Sequence, residues 1–243
     1  MTMEIIRNCS HLGDTCTALV IDGRGRPSRL VKTAFTAAGS RDLGRENEAV
    51  SWYDGRRQVP SAAVSFEQRP AWGRLELRYE RGDCGDLGLS VAANRKKILS
   101  ALRHHVSVFD GTPYSHGDYS IENIVYAGDM PARVLDWEAF NRELPPDFDM
   151  VYCVLEACFF CLKRRHRLSS GDIQAAGELL RFVKDHARGG LNDGVAPAAY
   201  IARLFTAHKT VFGGQYAKYP FLTCPAEDIT KLDGLLKQWE DMR

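Results

Sequence analysis

The chain has no run of eighteen apolar residues, and Met1-Thr2-Met3-Glu4-Ile5-Ile6-Arg7 lacks the basic-then-apolar order of a secretion signal. Membrane insertion and export are therefore not expected, and a cytoplasmic protein is. Neither sign of charge dominates: 32 Lys and Arg stand against 31 Asp and Glu, a net charge of +1. Nucleic acid and anionic membrane surfaces both call for concentrated basic charge, so neither is an expected partner. The seven cysteines are odd in number and scattered. Cys153, Cys158 and Cys161 fall at helical spacing in an apolar segment, away from histidines and turn residues, which reads as reduced core thiols rather than a zinc site. Repeats and low-complexity segments are lacking as well.

What is present is ordinary globular composition, 44% hydrophobic and 26% charged, in 243 residues. That suffices for one large or two modest domains. The one basic run, Lys163-Arg164-Arg165-His166-Arg167, closes an apolar segment and reads as a helix C-terminus, where cations favour the dipole. An anionic-substrate patch is the sharper alternative.

The densest chemistry lies in His116-Gly117-Asp118-Tyr119-Ser120-Ile121-Glu122-Asn123, with Asp136 thirteen residues further on. Two apolar runs, Ile124-Val125-Tyr126 and Ala132-Arg133-Val134-Leu135, flank the polar Gly128-Asp129-Met130-Pro131. The pattern is loop, strand, turn, strand, acid. Such a hairpin brings Asn123 and Asp136 together as hard oxygen ligands for magnesium (Mg2+) and leaves Asp118 to accept a proton from a substrate hydroxyl. These are the parts needed for phosphoryl transfer.

The spacing resembles the catalytic loop of the protein-kinase-like fold. The wording HGDYSIEN followed by VLDWE is similar to that of the aminoglycoside phosphotransferase and choline-kinase-like family of small-molecule kinases. A protein kinase would carry Arg between the His and Asp, and Phe-Gly after the second Asp, where this chain has Gly117 and Trp137-Glu138. The difference points away from a protein substrate and toward a small one. The resemblance implies an α+β, protein-kinase-like two-lobe fold. A small antiparallel sheet with one helix would form a nucleotide-binding lobe over residues 1–82, with a hinge near 78–82. A mainly α-helical lobe over residues 83–243 would hold catalysis and acceptor binding. ATP or GTP and magnesium are the implied cofactors, and a small-molecule hydroxyl is the implied acceptor.

The first third fits that implication. Thr17-Ala18-Leu19-Val20-Ile21 and Arg29-Leu30-Val31-Lys32-Thr33 read as strands around the turn Asp22-Gly23-Arg24-Gly25-Arg26-Pro27. Lys32 would hold nucleotide phosphates, fixed in turn by a helical carboxylate. That helix is expected from about Arg41 through Tyr53, stopping at Asp54-Gly55. The resemblance makes Glu46 its candidate acid, since the family's pattern of a glutamate six residues before a Trp, then Val-Pro opening the next strand, is matched by Glu46, Trp52 and Val59-Pro60. Glu48 is the rival. By resemblance, the phosphate-covering loop is Ser10 to Thr15, where a single glycine replaces any GxGxxG, so backbone N–H groups of Gly13, Asp14 and Thr15 are the candidates. The hinge would contact the adenine through Arg78, Tyr79 and Glu80.

Helical periodicity then runs from Val91 through His105, and over Phe148 to Leu162, Ile173 to His186, Ala196 to Phe212 and Ala226 to Met242. The resemblance makes Asp118 the base and Asn123 with Asp136 the metal ligands. His116 would brace the loop or serve as a general base, and Ser120 would touch a phosphate or turn the chain. Glu138 would assist the metal from behind, and Asp149 would buttress the loop from a helix N-terminus. From Trp137 onward, fourteen acids balance fourteen bases. The acceptor is therefore left open among sugar, amino alcohol and aminoglycoside-like molecules. The competing class is a catalytically inactive kinase-like binding module, and the oligomeric state is not indicated.

Overall fold

The computed structural model describes residues 2–8, 14–140, 144–145, 147–165 and 168–187. Gly13, the expected helices beyond residue 187 and the side chain of Glu138 lie outside what is described. The chain divides into two compact units, Met1–Arg81 with Asp136–Phe140, and Gly82–Leu135 with Asn141–Arg243.

The first unit contains β1 (Thr2–Asn8), β2 (Thr15–Ile21), β3 (Pro27–Ala34), α1 (Ala37–Arg56), β4 (Ala63–Arg69) and β5 (Trp72–Arg78). The strands form one antiparallel sheet in the order β1-β2-β3-β5-β4. The turn between β2 and β3 closes because the Asp22 carboxylate accepts hydrogen bonds from the Arg24 and Arg26 N–H groups, and Gly25 adopts a φ of 73°. Along β5 the residues alternate, with Gly73, Leu75 and Leu77 buried and Arg74, Glu76 and Arg78 more exposed. Glu76 pairs with Arg29 across the sheet and with Arg74 along the strand, each at 2.7 Å.

α1 begins four residues earlier than the periodicity suggests. The reason is a cap: the Thr36 hydroxyl accepts from Gly39 N–H. It also runs through Asp54-Gly55 to Arg56. Asp54 does not stop the helix, because its carboxylate accepts from the Ala62 N–H at 2.6 Å, and the chain turns instead at Gln58, which has a φ of 56°. The following strand consequently starts at Ala63 rather than at Val59-Pro60.

The second unit contains β6 (Asp83–Cys84), α2 (Val91–Phe109), a 3-10 turn at Ile121–Asn123, β7 (Ile124–Ala127), β8 (Met130–Val134), α3 (Phe148–Arg165) and α4 (Ser170–His186). Its three strands are antiparallel in the order β6-β7-β8. Gly82 has a φ of 153°, and a Cβ there would come within 2.5 Å of the Tyr126 carbonyl oxygen. Only glycine lets the two backbones approach that closely. Asp172 ties two helices together: its carboxylate accepts from Ser169 at the start of α4 and from Ala92 N–H at the start of α2. The core includes Ile98, Leu102, Tyr119, Phe148 and Leu180.

Cys153, Cys158 and Cys161 are buried free thiols in α3, whereas Cys84, on the short edge strand β6, is exposed. Among the described residues no helix is long and apolar enough to cross a membrane. The architecture is mixed α+β, with the antiparallel sheet and one helix in the first unit and most of the helix in the second.

Candidate functional site

In the first unit, one ammonium meets two carboxylates. Lys32 projects from β3, and its Nζ lies 2.7 Å and 2.8 Å from the two Glu46 carboxylate oxygens. The same Nζ donates to Asp136 Oδ1 at 2.8 Å. Glu46 is 1% exposed on α1, while its rival Glu48 faces solvent. The site is pinned from behind by aromatic packing. Trp137, fully buried, lies 5.0 Å from the Tyr53 ring of α1 and 5.7 Å from Phe140, with Trp52 at 6.3 Å.

Asp136 itself has left-handed backbone angles, φ 61° and ψ 61°. A side chain pays about 1–2 kcal/mol for that region, less for Asp and Asn, whose short polar groups bond locally. Burial alone would lower the Lys32 pKa. The Asp136 and Glu46 carboxylates overcome it and hold the ammonium above the ordinary lysine value. Glu46 is pushed up by burial first and by the Asp136 charge, against the pull of Lys32. Two acids thus compete for one cation in a dry place.

Other residues expected to contact nucleotide are placed as follows. Thr15 is buried at the start of β2, and the Asp14 carbonyl accepts from Phe35 N–H. The Arg78 and Tyr79 N–H groups are committed within the unit, to Ala62 O at 2.8 Å and Ser28 O at 3.1 Å.

In the second unit, a loop is built around one carboxylate. Asp149, on the first turn of α3, accepts from His116 N–H at 2.6 Å and Gly117 N–H at 2.8 Å. It also pairs with His105 Nε2 at 3.2 Å. Burial would raise the Asp149 carboxyl, but the hydrogen bond with His105 and the His116 backbone donor hold it below the usual carboxylate range. His105 is buried and stacks on Phe109 at 4.3 Å. Gly117 takes a φ of 85°, a conformation that a glycine adopts at little cost.

The loop's side chains are organised just as closely. His116 is fully buried, its Nε2 donates to Leu135 O at 2.9 Å, and its Nδ1 accepts from Asp118 N–H. Those partners fix the neutral tautomer with the proton on Nε2. Tyr119 anchors the loop to α2 by donating to Ala101 O at 2.9 Å. Asn123 donates its Nδ2 to the Asp118 carbonyl at 2.9 Å and to Asp118 Oδ2 at 3.0 Å. Asp118 and Asn123 are therefore in contact, and Asp118 remains partly exposed. Ser120 is 3% exposed.

One residue escaped the reading of the sequence. Glu156 lies in the middle of α3, 6% exposed, and its only signal was a single acid in an otherwise apolar run from Met150 to Leu162.

Among solved structures, the aminoglycoside phosphotransferase APH(3'')-Id from Streptomyces rimosus matches with a TM-score of 0.53 and 13% identity, covering 84% of this chain and 92% of that one. This chain has the aminoglycoside phosphotransferase fold. More distant matches are the ADP-bound aminoglycoside phosphotransferase APH(2'')-Ib and the ternary complex of streptomycin, ATP and APH(2'')-IIa. The first has a TM-score of 0.47, 14% identity and coverage of 100% and 94%; the second has 0.49, 15% and 93% of both chains. No protein-family profile matches the sequence, and no curated protein matches it. The aminoglycoside phosphotransferase fold is thus retained here at an identity where the sequence comparison alone is silent.

Proposed function

We propose that this chain is an ATP-dependent phosphotransferase that moves the γ-phosphoryl group to a hydroxyl of a small molecule. The observation that carries the reading is the Lys32 ammonium fixed at hydrogen-bond distance by both Glu46 and Asp136. A buried lysine with two carboxylates is costly unless its charge is used, and phosphate binding uses it. The fold shared with an aminoglycoside phosphotransferase supports the same reading.

In this proposal Lys32, oriented by Glu46, holds the nucleotide phosphates, and the hinge segment Arg78 to Glu80 lies along the base. Asp118 receives the acceptor hydroxyl and takes its proton as the oxygen attacks phosphorus. Asn123 keeps the Asp118 carboxylate in one orientation through its Nδ2. His116, with both ring nitrogens engaged in the loop, braces rather than titrates. Asn123 and Asp136 are suited to magnesium by their chemistry. Magnesium takes hard oxygens, commonly one or two from the protein with phosphate and water supplying the rest. Asn123 spends its amide nitrogen on Asp118, which leaves the amide oxygen for such a role. Magnesium would supply neutralisation of the phosphate charge.

The test compares the wild type with Asp136→Ala and Asp118→Asn for magnesium-dependent ATP binding and slow hydrolysis. Asp136→Ala should lose binding. Asp118→Asn should bind normally and lose about 10²–10⁴-fold in turnover. No magnesium-dependent nucleotide binding by the wild type would leave a non-catalytic module as the better description. A positive result justifies screening sugars, amino alcohols and aminoglycosides as acceptors.

A further inference from the structure

The segment that follows Arg81 runs against the short turn that carries Asn123. That turn, Ile121–Asn123, closes as the Ile121 carbonyl accepts from Ile124 N–H and the Ser120 carbonyl accepts from Asn123 N–H at 3.1 Å. The Ile121 carbonyl accepts a second hydrogen bond, from Gly85 N–H at 2.8 Å. Both lone pairs of that oxygen are thus engaged, one by the turn and one by the segment. On its far side the Asn123 carbonyl accepts from Leu135 N–H at 2.7 Å. The Asn123 side chain then reaches Asp118, with Nδ2 2.9 Å from the carbonyl and 3.0 Å from Oδ2.

No side chain fits between Gly85 and the turn. A Cβ at Gly85 would lie 2.5 Å from Ile121 Cβ and 2.7 Å from both Ile121 Cγ1 and the Ile121 carbonyl oxygen. Non-bonded carbons settle at about 3.5–4.0 Å, so the atoms would have to part by about 1 Å. Gly85 is not in the left-handed region, so its demand is for space rather than for a special backbone angle. Ile121 is fully buried, which denies its side chain an escape into solvent. The flanks of Gly85 are fastened as well. Asp83 and Cys84 pair with Tyr126 and Val125, and the Asp86 carbonyl accepts from the buried Asn94 Nδ2 of α2 at 2.7 Å and from Leu89 N–H at 3.0 Å. With those flanks fixed, a displacement at Gly85 passes to the three-residue turn.

We propose that Gly85 is a positioning residue for Asn123: its N–H and its missing side chain seat the Ile121–Asn123 turn, and the Asn123 amide in turn sets the Asp118 carboxylate. This rests on the phosphotransfer reading, because the orientation of Asp118 affects a rate only if Asp118 meets an acceptor.

The experiment compares the wild type with Gly85→Ala, Asn94→Ala and Gly171→Ala by two readouts. Gly171→Ala is the control, since a Cβ at Gly171 would have no neighbour closer than 3.8 Å. Asn94→Ala releases the Asp86 end of the segment without touching the turn, and it stands in for Gly85→Ala if that variant does not fold. Nuclear magnetic resonance of the nucleotide-free protein follows the Asn123 side-chain amide, identified by its loss in Asn123→Ala. Its resonances should move in Gly85→Ala toward those of a solvent-exposed asparagine, move the same way but less in Asn94→Ala, and stay in place in Gly171→Ala. A misplacement of about 1 Å can cost on the order of 10²-fold in rate. Turnover of magnesium-ATP with water as acceptor should therefore fall about 10²-fold in kcat in Gly85→Ala and about threefold in Asn94→Ala, with the KM for ATP unchanged.

Unmoved Asn123 resonances in Gly85→Ala, or in Asn94→Ala where it stands in, overturn the positioning, as does equal movement in Gly171→Ala. Moved resonances with wild-type kcat, or losses that appear only in KM, overturn its role in the reaction. A wild type that turns over no magnesium-ATP overturns the phosphotransfer reading, and the resonances then still decide whether Gly85 sets Asn123.

Discussion

The two units handle buried charge in opposite ways. In the sheet unit one ammonium, Lys32, serves two carboxylates, Glu46 and Asp136, so negative charge is in surplus. In the helical unit one carboxylate, Asp149, receives two backbone N–H groups and a histidine, so it is saturated. A saturated acceptor gains nothing from further partners and holds its surroundings still. An under-neutralised pair is improved by any cation that comes within reach. The contrast separates a structural fastening from a place where charge can be exchanged.

The contrast breaks most severely if the cation is removed. Lys32→Met leaves Glu46 and Asp136 without their cation, and removing one partner of a buried ion pair costs about 3–5 kcal/mol. Urea denaturation should show a loss of that order, and adding Glu46→Gln should recover part of it, giving a non-additive double-mutant cycle. Nucleotide binding should be lost in both variants.

Asp149→Ala comes next, because it orphans the buried N–H groups of His116 and Gly117. Each orphaned group costs about 1–3 kcal/mol, so urea should report a destabilisation of several kcal/mol in total. Asp149→Asn, which keeps one acceptor oxygen, should lose less.

Acidification sharpens the same comparison. The folded Asp149 pKa is depressed, so the unfolded chain binds the proton first as pH falls, and the stability Asp149 confers is present above the ordinary aspartate range and lost as pH drops through its folded value. Glu156 has the opposite sign. Its folded pKa is raised, so its contribution is complete at low pH and declines as pH rises from the ordinary glutamate range toward its folded value. Melting curves across pH should therefore show Asp149→Asn losing part of the acid limb of the wild type, and Glu156→Gln gaining relative stability toward high pH. Identical pH dependence in all three proteins would rule out this division.

The smallest expected effect is at a helix end. Ser169→Ala removes the hydroxyl that accepts from Asp172 N–H and should cost about 1 kcal/mol, measured by thermal melting, with nucleotide binding intact.

Much of this was legible because it is local. The turn at Asp22 to Pro27, the lysine strand and the hairpin leading to Asp136 follow from turn residues and alternation over a few positions. The start and end of α1 were misjudged for reasons no periodicity carries. Thr36 caps it early, and Asp54 looked like a terminator but is spent on Ala62 N–H, eight residues on. Glu156 was missed because the meaning of a lone buried acid depends on what packs around it. Cys84 differs from the three core thiols of α3: its place on a two-residue edge strand exposes it.

Asp149 grips the loop by its peptide groups, and this has a consequence for how the protein can change. Every residue but proline supplies the same N–H, so apart from Gly117, whose backbone calls for glycine, the fastening does not depend on which side chains the loop displays. Glu122, exposed and outside that grip, can therefore be exchanged without releasing the hold of Asp149 on the loop.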